Sequence, residues 1–252
     1  MTQDCENTKM KSLISAIQFI TILPLGKPGT FDSKGMVPFF PVVGIVLGAL
    51  VAALDYAVLR LWTEPVAAVL DVIFLVVLTG AFHLDGLGDT ADGLLGHRTK
   101  EKALDVMKDS RIGVMGLIAI VTGLSIKWGG IMSLAAHHRS LLLVIIPAYA
   151  RGGMIFGIKF LKYGRSSDGI GHPLFSNTLK LSAFWGLLIP ILLSFFLGWR
   201  GIWLNLIFVI ITSSILLYYK KRIGCITGDM LGAMTEITEP VLFLLVSIGM
   251  NL

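Results

Sequence analysis

Between His83 and Arg111 the chain reads HLDGLGDTADGLLGHRTKEKALDVMKDSR. Asp85, Asp89 and Asp92 open this stretch, spaced four and three residues apart. At about 100° per residue, all three fall within roughly 60° of one another on a helix. Carboxylates so placed repel unless a cation sits among them, and a hard cation with oxygen ligands suits them. Mg²⁺ held by a few carboxylates and by substrate phosphates is the usual arrangement. The alternative is a solvated acidic helix face. Against it, no Lys or Arg lies between Gly80 and Gly96, while Gly86, Gly88, Gly93 and Gly96 punctuate the run. Glycines weaken a helix but let a phosphate or a neighbouring helix come close.

Two further clusters carry charge that needs explaining. Lys108, Asp109 and Arg111 end the same stretch, just before an apolar run begins at Ile112. Arg grips phosphate oxygens in a bidentate fork and Lys acts as a point charge. An anchor for a membrane span explains Arg111 equally well but leaves Asp109 unexplained. The third cluster is Thr227, Gly228, Asp229, Gly232 and Glu236. Asp229 and Glu236 are seven apart, about 20° from alignment on a helix. Glu236 lies in an apolar run, where a charge facing lipid is costly. It therefore points to the protein interior, and Arg151, inside another apolar run, is its natural partner. The pair reads either as a structural ion pair or as part of a substrate site.

The elements that must position these groups follow from composition. The 252 residues are 55% hydrophobic and 15% charged, with a mean hydropathy of +0.81. A soluble domain carries about 25% charged residues, so an all-α polytopic membrane bundle is expected, as a single domain over residues 1–252. Runs of roughly 17–25 apolar residues span a bilayer, and about seven transmembrane helices are predicted: 37–59, 66–82, 112–136, 140–161, 181–197, 201–219 and 230–252. The last is the weakest, broken by Glu236, Glu239 and Pro240. The run Leu13–Leu25 is too short to span and ends near Pro24, so a short interfacial or re-entrant helix is expected there. The net charge of +5 does not imply nucleic acid, because the basic residues are dispersed between apolar runs.

Their distribution sets orientation by the positive-inside rule. With the N-terminus in the cytoplasm, 16 of the 21 Lys and Arg residues fall on the cytoplasmic side. Only Arg60, Arg139 and Arg200 fall outside, and Lys127 and Arg151 lie within spans. Cys5 and Cys225 then face the cytoplasm as reduced thiols. The three charged clusters also meet at one cytoplasmic mouth, with the 162–180 connection (Arg165, Asp168, His172) beside them, as a polyphosphate substrate would require. No residue pattern suggests a nucleophile elbow, a P-loop or a dinucleotide fingerprint. Asp55, Asp71 and Lys127 receive no role, and His83 is read only as a residue capping the second span.

The run FHLDGLGDTADGLLGHRTKEKALDVMKDSRIGVMG (82–116) resembles the signature of the cobalamin synthase (adenosylcobinamide-GDP ribazoletransferase) family. AIQFITILPL (16–25), FFPVVGIVLG (39–48), Ala150-Arg151-Gly152 and TGDMLGAMTEITEPVLFLL (227–245) resemble its other landmarks in the same order. One mild departure is Gly88, where many relatives carry Ala. The resemblance covers nearly the whole chain. It implies a Mg²⁺-dependent phosphotransferase in a bacterial or archaeal inner membrane. A hydroxyl of α-ribazole, or of its 5′-phosphate, would displace GMP from adenosylcobinamide-GDP. Under it Asp85, Asp89 and Asp92 would hold Mg²⁺ and serve catalysis with Arg111, while Lys108, Asp109, Arg151, Asp229 and Glu236 would bind substrate. Association into a homo-oligomer stays open. CDP-alcohol phosphotransferases fit less well, because Asp89-Thr90 stands where their Ala-Arg pair would. A cation-coupled transporter would place its carboxylates near the midplane, not at one surface.

Overall fold

The computed structural model describes residues 2–25, 35–109, 111–165, 171–175 and 179–249. Asp168 lies outside them. Among the described residues the chain is helical, with one isolated parallel bridge between Tyr163 and Ile226 in place of any strand. The helices are α1 (Thr2–Ile20), α2 (Phe40–Val58), α3 (Glu64–Leu78), α4 (Phe82–Leu94), α5 (Lys100–Val106), α6 (Val114–Met132), α7 (Ala136–Phe160), α8 (His172–Phe175), α9 (Leu188–Ser194), α10 (Trp199–Arg222) and α11 (Gly228–Val246). The first helix is longer than the apolar run Leu13–Leu25 predicts. It begins at Thr2 and stops at Ile20, ahead of Pro24.

Four segments are long and apolar enough to cross a membrane: Val37–Val58, Val114–Met132, Ala136–Phe160 and Trp199–Arg222. α3 and α4 qualify together but bend by 89° between them. The bend is built from two consecutive left-handed residues, Gly80 (φ 58°) and Ala81 (φ 58°). The second is a rare conformation for a residue with a Cβ. Thr79 eases the break by donating its hydroxyl to the carbonyls of Leu75 and Val76.

Two predicted spans take other forms. Leu181–Leu197 is a 3₁₀ turn over Leu181–Leu187, then α9, then a second 3₁₀ turn over Phe195–Leu197. α11 carries Asp229, Glu236 and Glu239 and is buried on nearly every side, so it is a central helix and not a lipid-facing one. The other central helix is α7, whose span is 83% buried. α2 packs on α7 through Gly44 and Gly48: a Cβ at Gly44 would lie 2.4 Å from Ala148 Cα, and one at Gly48 would lie 2.4 Å from the Leu143 carbonyl oxygen. This small-xxx-small contact lets two membrane helices touch backbone to backbone.

Intramembrane charges are paired in two separate layers. At one end Arg139, buried and not exposed as its predicted position in a turn suggests, binds Asp55 at 2.7 Å and approaches Asp71 at 3.4 Å. Deeper in the bundle, Lys127 binds Glu236 at 2.7 Å and Glu239 at 2.9 Å, and Arg151 pairs with Glu239. The expected Arg151–Glu236 pair is therefore replaced. Glu239 lies three residues on, about 60° round the helix. The α11 face it occupies meets α7, while Glu236 turns toward α6.

Candidate active site

The aspartate helix is held from both sides. Asp92 has a structural role. Its carboxylate accepts the Gly113 N–H at 2.7 Å and the Gly116 N–H at 2.9 Å. It thereby caps the N-terminus of α6, where amides are otherwise unsatisfied and negative charge is favoured. Gly113 and Gly116 are required for it, since a Cβ on either would fall 2.4 Å from an Asp92 oxygen. On the other side α4 touches α11. A Cβ at Gly86 would sit 2.6 Å from the Asp229 carbonyl oxygen, so the glycine brings two acidic helices together.

Asp229 is fixed by its own end of the bundle. Thr227 caps α11 by accepting the Met230 N–H at 3.3 Å. Around it the chain forms a short bridge, with Ile226 N–H on the Lys162 carbonyl and Gly164 N–H on the Ile226 carbonyl, both at 2.9 Å. The bridge presents Arg165, which donates to the Asp229 carboxylate and, at 3.0 Å, to the Met107 carbonyl. The Gly86 contact thus lays the α4 turn that carries Asp85 and Asp89 against Asp229 and its partner Arg165, while the Asp92 carboxylate is turned to the α6 amides. Arg165 was absent from the residues expected to carry the site. Its only sequence signal is membership of a loop placed near the mouth.

The other expected residues stand elsewhere. Arg111 is exposed and pairs with Asp109 at 2.6 Å, and the guanidinium holds the Asp109 carboxyl down at about 2. Lys108 is also exposed, so these three form a rim outside the acidic cluster. Arg151 and Glu236 are buried in the ion-pair layer described above. His83, read as a cap of the second span, is instead fully buried in the first turn of α4.

The donor set is oxygen-only, as a hard cation prefers. Among the described residues no three His, Cys, Asp or Glu groups close around one point. Mg²⁺ does not demand such a cage, because it is commonly bound through one or two carboxylates, waters and substrate phosphates. The residues present therefore fit a divalent cation that arrives with a phosphorylated ligand.

Fold and site together define a polytopic helical membrane protein with an acidic cluster at one end of the bundle. A family model described as cobalamin-5-phosphate synthase matches residues 12–247. The chain belongs to that family. A protein of Alkaliphilus metalliredigens named adenosylcobinamide-GDP ribazoletransferase is 37% identical, covering 98% of this chain and 99% of its own length. Proteins of the same name from Brevibacillus brevis and Desulforamulus reducens are 34% and 32% identical, over 95% and 96% of this chain and 98% of each relative. No solved structure matches the chain.

Proposed function

We propose that this protein transfers the adenosylcobinamide-phosphate group from adenosylcobinamide-GDP to α-ribazole or its 5′-phosphate. A ribazole hydroxyl oxygen forms the new bond to phosphorus, the bond to GMP breaks, and GMP leaves with its oxygen. The hydroxyl proton passes to a carboxylate of the cluster. The observation that carries this reading is the close contact at Gly86, which lays the α4 turn carrying Asp85 and Asp89 against Asp229 of α11, some 140 residues on in sequence, at one end of the bundle.

Phosphoryl transfer needs mainly positioning and electrostatic stabilisation. Asp85 and Asp89 would hold Mg²⁺ together with waters and the substrate's phosphates, with Asp229 and Asp92 flanking them, and the ion would supply neutralisation of diphosphate charge. Asp92 sets the start of α6 and so the wall of the mouth. Arg165 keeps Asp229 oriented toward α4. Lys108 and Arg111 draw the anionic substrate to the rim, with Asp109 holding Arg111 in place. Arg151 and Glu236 act through the buried layer that fixes α7, α11 and α6 relative to one another.

In this reading the chain is one catalytic domain in the bacterial or archaeal inner membrane, with N-terminus and site cytoplasmic. It crosses seven times, counting α3, α11 and the Leu181–Leu197 element. The 3₁₀ turns help the last of these: at about 2.0 Å per residue, against 1.5 Å in an α-helix, its 17 residues reach about 30 Å. The deciding experiment is GMP release by the purified protein in lipid. Release should require both substrates and Mg²⁺ and stop with EDTA. Release that is indifferent to EDTA and to Asp85→Asn would refute the assignment.

A further inference from the structure

A small cavity of about 80 Å³ lies beside the acidic cluster, and His83, Asp229, Arg165, Tyr163, Phe19 and Phe82 are among its walls. Its distinguishing feature is His83. The side chain is fully buried, and neither ring nitrogen has a hydrogen-bond partner among the described residues. Leaving buried polar atoms unpaired costs stability, and native structures keep few of them without a reason. The placement is nevertheless firmly built. The left-handed pair Gly80-Ala81 starts α4 at this point. Gly232 of α11 lets the His83 backbone come in close, since a Cβ there would lie 3.1 Å from His83 Cα.

Size and charge select the occupant. A buried water takes roughly 10–15 Å³ of such space at minimum and about 30 Å³ as its share of liquid. The cavity therefore holds a few heavy atoms, too few for a nucleobase or a corrin. A phosphate is disfavoured electrostatically. Asp229 forms part of the wall with Asp85 and Asp89 behind it, and the one cation lining the cavity, Arg165, is offset by Asp229, to which its Nη2 donates along with the Met107 carbonyl, while its Nε has no partner among the described residues. A neutral hydroxyl suits both conditions, because an imidazole nitrogen can accept its proton or donate to its oxygen. Phe19, Phe82 and Tyr163 supply apolar walls for the carbon atoms that bear it.

We propose that this cavity is the acceptor subsite: it takes the hydroxyl-bearing edge of the acceptor nucleoside's ribose, and His83 hydrogen-bonds the hydroxyl and sets it beside Asp229. The assignment rests on the transfer reading above. It separates the two substrates in space, with the diphosphate donor on the carboxylate and rim side and the alcohol on the histidine side.

The test is steady-state GMP release by the full-length protein in lipid, with α-ribazole and adenosylcobinamide-GDP varied separately. His83→Phe should raise KM for α-ribazole by about 10- to 100-fold, as expected for an unpaired buried hydrogen-bonding group. KM for adenosylcobinamide-GDP should stay within about twofold, and His83→Gln should recover part of the loss. A KM for α-ribazole unchanged in His83→Phe overturns the subsite. Should the His83 variants fail to fold, the wild-type protein decides. A ribazole analogue lacking the reacting hydroxyl should inhibit with Ki at least tenfold above the KM of α-ribazole, and equal affinity overturns the proposal. Wild-type protein that releases no GMP on adding α-ribazole refutes the transfer reading and this subsite with it, a result distinct from failure of the subsite alone.

Discussion

Lys127→Met should destabilise the protein by about 3–5 kcal/mol, the usual cost of stranding a buried charge. Lys127 and Arg151 oppose Glu236 and Glu239 in a layer where each of the four side chains is at most 5% exposed. The layer is neutral as a set of four. Removing Lys127 leaves two carboxylates with one guanidinium, and Glu236 loses its 2.7 Å partner. The pairing pattern then makes unequal predictions for two double variants of equal net charge. Lys127→Met with Glu236→Leu leaves the Arg151–Glu239 pair whole and should recover most of the loss. Lys127→Met with Glu239→Leu leaves Arg151 and Glu236, which are not partners, and should recover little.

Thermal unfolding in detergent, arranged as two double-mutant cycles, measures this directly. Equal stability of the two double variants would refute the pairing and with it the placement of α11 against α6 and α7. The same proteins bear on function. GMP release should return with stability in the Lys127→Met/Glu236→Leu protein if the layer acts as scaffold. Arg151→Met with Glu239→Leu, folded yet inactive, would instead move Arg151 into substrate binding.

Asp89→Asn should keep the fold and lose nearly all GMP release, whereas Asp92→Asn should lose activity together with about 1 kcal/mol of stability, because one amide oxygen cannot cap two N–H groups as a carboxylate does; a melting curve for each separates them. Gly86→Ala should push α4 from α11 and cost about 1–3 kcal/mol by overpacking against the Asp229 backbone; unchanged melting and turnover would show that the contact is looser than described. Burial raises the Cys225 thiol above its ordinary range, so thiolate is scarce at neutral pH and alkylation should be slow in the folded protein and fast in SDS; rapid labelling at pH 7 would contradict it. In a background lacking Cys5 and Cys225, an impermeant thiol reagent should reach a cysteine placed at exposed His137 in intact cells and one at Lys100 only after permeabilisation, and the reverse pattern would overturn the cytoplasmic mouth.

The order of charged and apolar residues along the chain was enough to show a helical membrane protein. Its composition leaves no soluble alternative, because apolar runs long enough to cross a membrane separate the charged stretches. Local spacing was also enough to single out Asp85, Asp89 and Asp92, because helical periodicity puts residues three and four apart on one face whatever surrounds them. Which charge meets which was beyond it. Glu236 and Glu239 are equivalent as intramembrane acids until the crossing of α11 with α6 and α7 assigns one to Lys127 and shares the other with Arg151. Asp92 reads as a third ligand until the chain returns, 21 residues later, to offer it two amide groups. Arg165 and His83 carry no periodic signal at all: one gains its role from a bridge between segments 63 residues apart, the other from a left-handed turn and a glycine on a distant helix. Periodicity is a property of neighbours in sequence, whereas pairing and burial arise from backbone contacts between helices, and those are settled only when the bundle closes.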